Sequence, residues 1–184
     1  MTWRKIGWYY ALAAVLGLYF FRFEWHPNKK LGLVDPTAPV VVQQSQFLPV
    51  SRDDIQEIIL KRSNMTVLCR RNGQAWMVVE PAGLSIPSDL LTSLVENLTP
   101  TKEVIIIAKD PKDVVPYGLD HPNTTIIVKD KAGKELAIVS LGSQNPTSSA
   151  VYVRKEPSPQ VYLLGQSVSD YAQLVFEKVS GGKK

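Results

Sequence analysis

The single cysteine, Cys69, stands between Leu68 and the pair Arg70–Arg71. Neighbouring guanidinium groups favour a thiolate, and a thiolate nucleophile needs a base beside it. Only two histidines are present, His26 and His121. A thiol enzyme would therefore require the fold to bring His121 to Cys69. The simpler reading is a small, apolar-like thiol on a strand. Asp110, Asp113 and Asp120 lie close in sequence and could suggest a cation site. Their spacing matches no calcium loop, and Lys109 and Lys112 offset their charge, so they read as a solvated loop. One cysteine and two histidines cannot supply a four-ligand Cys/His zinc site or an intramolecular disulfide. Phosphate-loop, dinucleotide, HExxH and GxSxG patterns are all missing. The sequence thus assigns no catalytic, cofactor or metal residue, and the expectation is a non-enzymatic protein.

Charge narrows the class further. Lysine and arginine number 21 against 17 acidic residues, a formal net charge of +4. Three of the basic residues, Arg4, Lys5 and Arg22, fall within residues 1–23, which hold no acid. The remainder stands at 18 basic to 17 acidic, too balanced for the basic stripe of a nucleic-acid-binding domain.

The basic N-terminus brackets the strongest signal in the chain. Residues 6–21 run for sixteen positions without a charge. As a helix they would span about 24 Å of a hydrocarbon core about 30 Å thick. Trp3 and Phe23 extend the segment, and Arg22 can snorkel towards water. Trp3, Trp8 and Trp25 supply amphipathic rings of the kind found at membrane interfaces. Gly7, Ala11, Ala14 and Gly17 are small enough for close helix packing in lipid. The segment ends in the bulky Phe-Arg-Phe-Glu-Trp rather than in a small-residue cleavage site. The expectation is a retained single-pass anchor over residues 1–25, with the C-terminal domain outside the cytoplasm.

Residues 26–50 contain Pro27, Pro36, Pro39 and Pro49 and read as a tether. Residues 40–42 and Phe47-Leu48 are too apolar for a plain spacer. They read as lying along the domain, with packing on a neighbouring membrane protein as the alternative.

Residues 51–180 read as an α+β domain, followed by a tail over 181–184. Residues 55–61 fit a helix face (Ile55, Ile58, Ile59) and strand alternation about equally. Residues 65–71 and 76–79 flank Asn72-Gly73 and predict a hairpin. Pro87 opens a helix with Leu90, Leu91, Leu94, Val95 and Leu98 on one stripe. Strands follow over 104–108, 124–128, 135–141, 151–154 and 161–164. A last helical stripe carries Val168, Tyr171, Ala172, Val175 and Val179. The order predicts an antiparallel sheet with two helices on one face, and it allows two similar strands-then-helix halves, 54–99 and 124–179.

Several local features together resemble a bacterial membrane-anchored family, the domain-of-unknown-function family 4340. They are Trp76 and Pro81 around a hairpin, Asp89 near a helix start, and the turn Tyr117-Gly118-Leu119-Asp120-His121-Pro122. Gly142, Pro146, Tyr152-Val153 and Val161-Tyr162-Leu163 follow in order. The resemblance implies anchoring outside the cytoplasm, and some relatives look like accessory partners of gliding-type ABC transporters. It implies no catalytic residues. Within the turn, Gly118 can take positive φ and Pro122 holds His121 extended, so Tyr117 and Leu119 are expected to plug in between the two halves.

The functional expectation is an accessory or structural subunit of a bacterial membrane complex, in transport or energy conversion. Its partners would be the bilayer and one or more integral membrane proteins. The alternative is an extracytoplasmic module that binds a small ligand or envelope polymer in the groove between its two halves, which a ligand near Tyr117 or His121 would favour.

Overall fold

The computed structural model describes residues 41–43, 47–99 and 104–181, together with Leu16. The strands are β1 (Val41–Gln43), β2 (Glu57–Arg62), β3 (Met65–Asn72), β4 (Ala75–Glu80) and β5 (Val104–Ala108). They continue with β6 (Thr124–Lys129), β7 (Glu135–Gln144), β8 (Ala150–Glu156) and β9 (Val161–Gly165). The helices among the described residues are α1 (Ser88–Leu98) and α2 (Ser167–Gly181). All nine strands join one sheet in the order β1-β5-β9-β8-β7-β6-β2-β3-β4, and every neighbouring pair is antiparallel. The fold is α+β.

Tertiary pairing settles the ambiguous stretch over 55–61. β2 pairs on both sides, with Ile59 opposite Leu68 of β3 and Ile127 of β6. Two partners satisfy the strand's backbone groups on both edges, which overrides the helical spacing of its isoleucines. β3 runs through Asn72, which pairs with Ala75, so the turn that joins β3 to β4 is Gly73-Gln74, one position later than the Asn72-Gly73 signal, with Gly73 at φ +64°. A left-handed residue there suits glycine and matches the twist of the hairpin.

Both helices cover the same face of the sheet and pack on each other. α1 buries Leu91, Leu94, Val95 and Leu98, and α2 buries Val168, Ala172, Val175, Phe176 and Val179. These side chains meet Ile58, Leu60, Val67, Val128, Val139 and Val153 in one core. Each large aliphatic side chain buried there contributes on the order of 1.5–3 kcal/mol. The strand groups β2-β3-β4 and β6-β7-β8-β9 are each followed by a helix and meet at the β2–β6 pair. β5 leaves the first group and pairs with β9 at the far side.

The 26–50 tether gives way to the domain by residue 41. β1 pairs with β5, and Phe47 and Leu48 are 0% and 2% exposed. Phe47 meets Tyr162 edge to face at 5.2 Å, and Lys155 Nζ donates to the Phe47 carbonyl at 2.7 Å. Proline content marked the spacer, but burial of an apolar pair outweighs it.

The anchor read over residues 1–25, with Trp3, Gly7, Trp8, Ala11, Ala14, Gly17, Arg22 and Trp25, lies outside the described residues apart from Leu16. So do the tether up to residue 40 and residues 182–184. Among the described residues no helix is long and apolar enough to cross a membrane.

Candidate functional site

The face of the sheet away from the helices holds the residues of interest, and it has two parts. The first is covered by the chain itself. The covering segment starts at Asp113, whose Oδ1 accepts from Val115 N–H at 2.9 Å. A short 3-10 turn, Val115–Tyr117, follows. The Val114 carbonyl accepts from both Tyr117 N–H and Leu119 N–H, at 3.1 and 3.2 Å. Gly118 closes the turn at φ +64°, where other residues are strained.

That geometry presses the turn onto β7. A Cβ built on Gly142 would collide with the Tyr117 carbonyl oxygen and meet Leu119 Cγ at 3.0 Å. A Cβ on Gly118 would lie 2.9 Å from Ser143 N. The β7–β8 register slips between Leu141 and Gln144, so Gly142 and Ser143 sit in a bulge that receives the turn. Leu119, 1% exposed, packs with Tyr152 and Val161 in a small second core. Tyr117 meets Tyr152 edge to face, with ring centroids 5.2 Å apart. Burial, and secondarily the nearby Tyr117, hold the Tyr152 phenol above its ordinary pKa.

Tyr117 and Leu119 therefore do not plug a gap between the two halves. They cap the outer face of β8 and β9, because the bulge and Gly142 open a seat there. Pro122 is half-buried, whereas Asp120 and His121 are exposed. His121 Nε2 lies 4.0 Å from Asp120 Oδ2, and the His121 side chain is 95% exposed.

The second part of the outer face has no such cover among the described residues. Leu68, Ile59, Ile127 and Ile138 stand in register across β3, β2, β6 and β7. Leu68, Ile59 and Ile138 are half-buried, Ile127 between them is 7% exposed, and all four stand outside both hydrophobic cores. On one flank Glu57 bonds Arg70 at 2.7 Å and lies 3.9 Å from Lys129 Nζ. On the other flank Lys61, Thr125, Ser140 and Arg154 stand in register. Lys61 and Arg154 have no ion-pair partner among the described residues.

The residues with potential chemistry are kept apart. Cys69 is buried in the helix-side core, and burial pushes its thiol up to about 12. The exposed His121 is not its partner. Asp110, Asp113 and Asp120 are exposed, and among the described residues no three Cys, His, Asp or Glu side chains gather as a metal site. A polar cleft of about 700 Å³ runs between the halves, lined by Asp53, Gln56 and Arg71 on one side and Asp130 and Lys131 on the other. Apart from Lys131, which has no ion pair among the described residues, the charged groups named are engaged already. Arg71 bonds Asp53 and the Arg52 and Gly73 carbonyls, and Asp130 Oδ1 accepts from Ala132 N–H and Lys134 N–H. Neither Tyr117 nor His121 lines this cleft.

The sequence profile of the family described as Domain of unknown function (DUF4340) matches residues 76–178. The chain belongs to DUF4340. The DUF4340 match begins at Trp76 on β4 and runs into α2, so it includes the turn, Gly142 and Tyr152. In structural terms these DUF4340 features are one contact: a turn, the glycine it rests on, and the tyrosine that walls it. No curated protein and no solved structure matches the chain. Sequence reasoning placed the turn but gave Gly142 and Tyr152 no role, because their contacts lie many residues away. The aliphatic row was missed as well. Alternation along each strand was its only signal, and the row forms only across strands.

Proposed function

We propose that the chain is a non-enzymatic, membrane-anchored accessory subunit of a bacterial membrane protein complex serving transport or energy conversion. The observation that carries this reading is a combination. An uncharged run of sixteen residues, 6–21, precedes a domain that leaves part of one sheet face without a cover of its own among the described residues. The run serves as a retained single-pass anchor, with Trp3, Trp8 and Trp25 towards its interfaces and Gly7, Ala11, Ala14 and Gly17 offering a close-packing side. The domain then stands on the extracytoplasmic side. The family resemblance suggests a gliding-type ABC transporter as host.

The alternative is a binding module that uses the cleft between the halves. The mutual pairing of Arg71 with Asp53, and of Asp130 with its own loop, leaves that cleft few free polar groups, and this favours the subunit reading.

Affinity purification of the tagged full-length chain in mild detergent, with mass spectrometry of what accompanies it, tests the proposal. The control deletion ends at residue 39, since a longer one would remove β1 and the buried Phe47-Leu48 pair. A stoichiometric integral membrane partner that is lost with the deletion is the expected result. A chain that purifies alone in both forms overturns the reading.

A further inference from the structure

Resting on that subunit reading, we infer that the uncovered outer face of β3, β2, β6 and β7 docks an amphipathic helix of the partner, with an apolar stripe and carboxylates along one flank. The face offers side chains only. Its strands are paired on both edges, so no backbone donor or acceptor points outward to receive an extended peptide. An occupant must bring a backbone that is already satisfied, as a helix does. The apolar row is one residue wide, Leu68-Ile59-Ile127-Ile138, and repeats at the strand spacing of about 4.8 Å. A helix crossing the strands returns a side chain to that row about every 5.4 Å, one per strand.

Charge selects the partner. On one flank Glu57 is shared by Arg70 and Lys129, so that side needs nothing further. On the other, Lys61 and Arg154 make no ion pair among the described residues. They stand three strands apart, on the order of 14 Å, which is between two and three helical turns. Acidic residues at that separation would complete both pairs. A second copy of the chain is a poor occupant. A two-fold axis in the plane of the face lays the Lys61–Arg154 flank either on itself or on the Arg70–Glu57–Lys129–Glu135 flank, whose own charges balance. The first arrangement sets cation against cation, which costs affinity, and the second offers Lys61 and Arg154 no surplus carboxylate.

The test uses the full-length chain in uncharged nanodiscs and two fluorescent helical peptides. Both peptides carry one apolar stripe; one has glutamates along a flank and the other has lysines there. The glutamate peptide is expected to bind about tenfold more tightly or better, and the double variant Lys61→Glu/Arg154→Glu is expected to reverse the preference. Lys61→Glu alone, at an exposed position, is expected to reduce the preference even where the double variant fails to fold. Equal binding of the two peptides, no binding, or a preference untouched by Lys61→Glu overturns the inference. So does a full-length chain whose Lys61 dependence appears only on anionic vesicles. The two readings fail separately. A wild-type chain that purifies without a partner removes the subunit reading, whereas a partner that stays bound to the Lys61→Glu/Arg154→Glu chain removes only the docking face.

Discussion

Across β8 and β9 the outer face carries Tyr152, Val161 and Leu163 beneath the chain's own turn. Across β3, β2, β6 and β7 it carries Leu68, Ile59, Ile127 and Ile138 with charged side chains on the flanks and no covering segment among the described residues. The difference begins with glycine. Gly142 lets the turn's backbone reach the sheet, and Gly118 lets the turn bend back on itself. β2, β3 and β6 have no glycine, so a backbone cannot approach them as closely. Their aliphatic row is instead flanked by Lys, Arg and Glu, whose stems shield part of it while their heads stay in water. A covered face is a finished core. A charged, half-shielded one remains soluble and stays available to a partner.

The comparison can be broken most severely at Gly142. Gly142→Val would drive a side chain into the Tyr117 carbonyl, and the expected loss is about 3 kcal/mol in a urea titration of the purified chain. A variant as stable as the wild type would mean that the turn does not sit on the bulge. Leu119→Ala empties the centre of the small core, with an expected cost of about 2–3 kcal/mol in the same titration. A cost well under 1 kcal/mol would remove the claim that the turn is a packed cover.

The helix side supplies a control through pH. The folded Cys69 thiol keeps its proton to about 12, while an unfolded thiol loses it near the ordinary value of 9.0. Unfolding is therefore favoured as pH rises through that window, and the contribution of Cys69 is fully present only below it. Cys69→Ala is expected to flatten the stability-against-pH slope above about pH 9. Equal slopes in the two proteins would place Cys69 in contact with solvent. The smallest effect belongs to the uncovered row, where Ile59→Ala is expected to cost about 1 kcal/mol because the side chain is only half-buried. A loss as large as that of Leu119→Ala would show that something already covers this row.

Much of the sheet was legible because its signals are local. Asn72-Gly73 specifies its hairpin within a few residues, and the Leu91-Leu94-Val95-Leu98 stripe specifies α1 within a few turns. What could not be read depends on contacts far apart in the chain. β2 and β6 are apolar on consecutive positions, Ile58-Ile59-Leu60 and Ile126-Ile127-Val128, so their sequences do not say which face the helices cover. Leu119 looked like a plug between halves because its apolar character gives no direction. Only the glycine on β7 and the bulge beside it decide where it goes. Phe47-Leu48 was visible as an apolar exception within a proline-marked segment, but its partners Tyr162 and Lys155 lie more than a hundred residues downstream.

Thiol labelling of single-cysteine replacements tests the contrast between the two parts of the outer face most directly. Cys69 provides a silent background, since it is 0% exposed and its thiol stays protonated at about pH 8. Thr66→Cys, exposed and opposite Lys61 on β3, reports the uncovered part of the face while leaving Lys61 in place, and Val115→Cys reports the exposed crest of the covering turn, where Val115 is 62% exposed. Both are expected to label rapidly in the purified full-length chain. In native membranes Thr66→Cys should label at least about tenfold more slowly, while Val115→Cys keeps its rate. Equal labelling of the two positions in native membranes would contradict the account, because the uncovered face would then have no partner to meet.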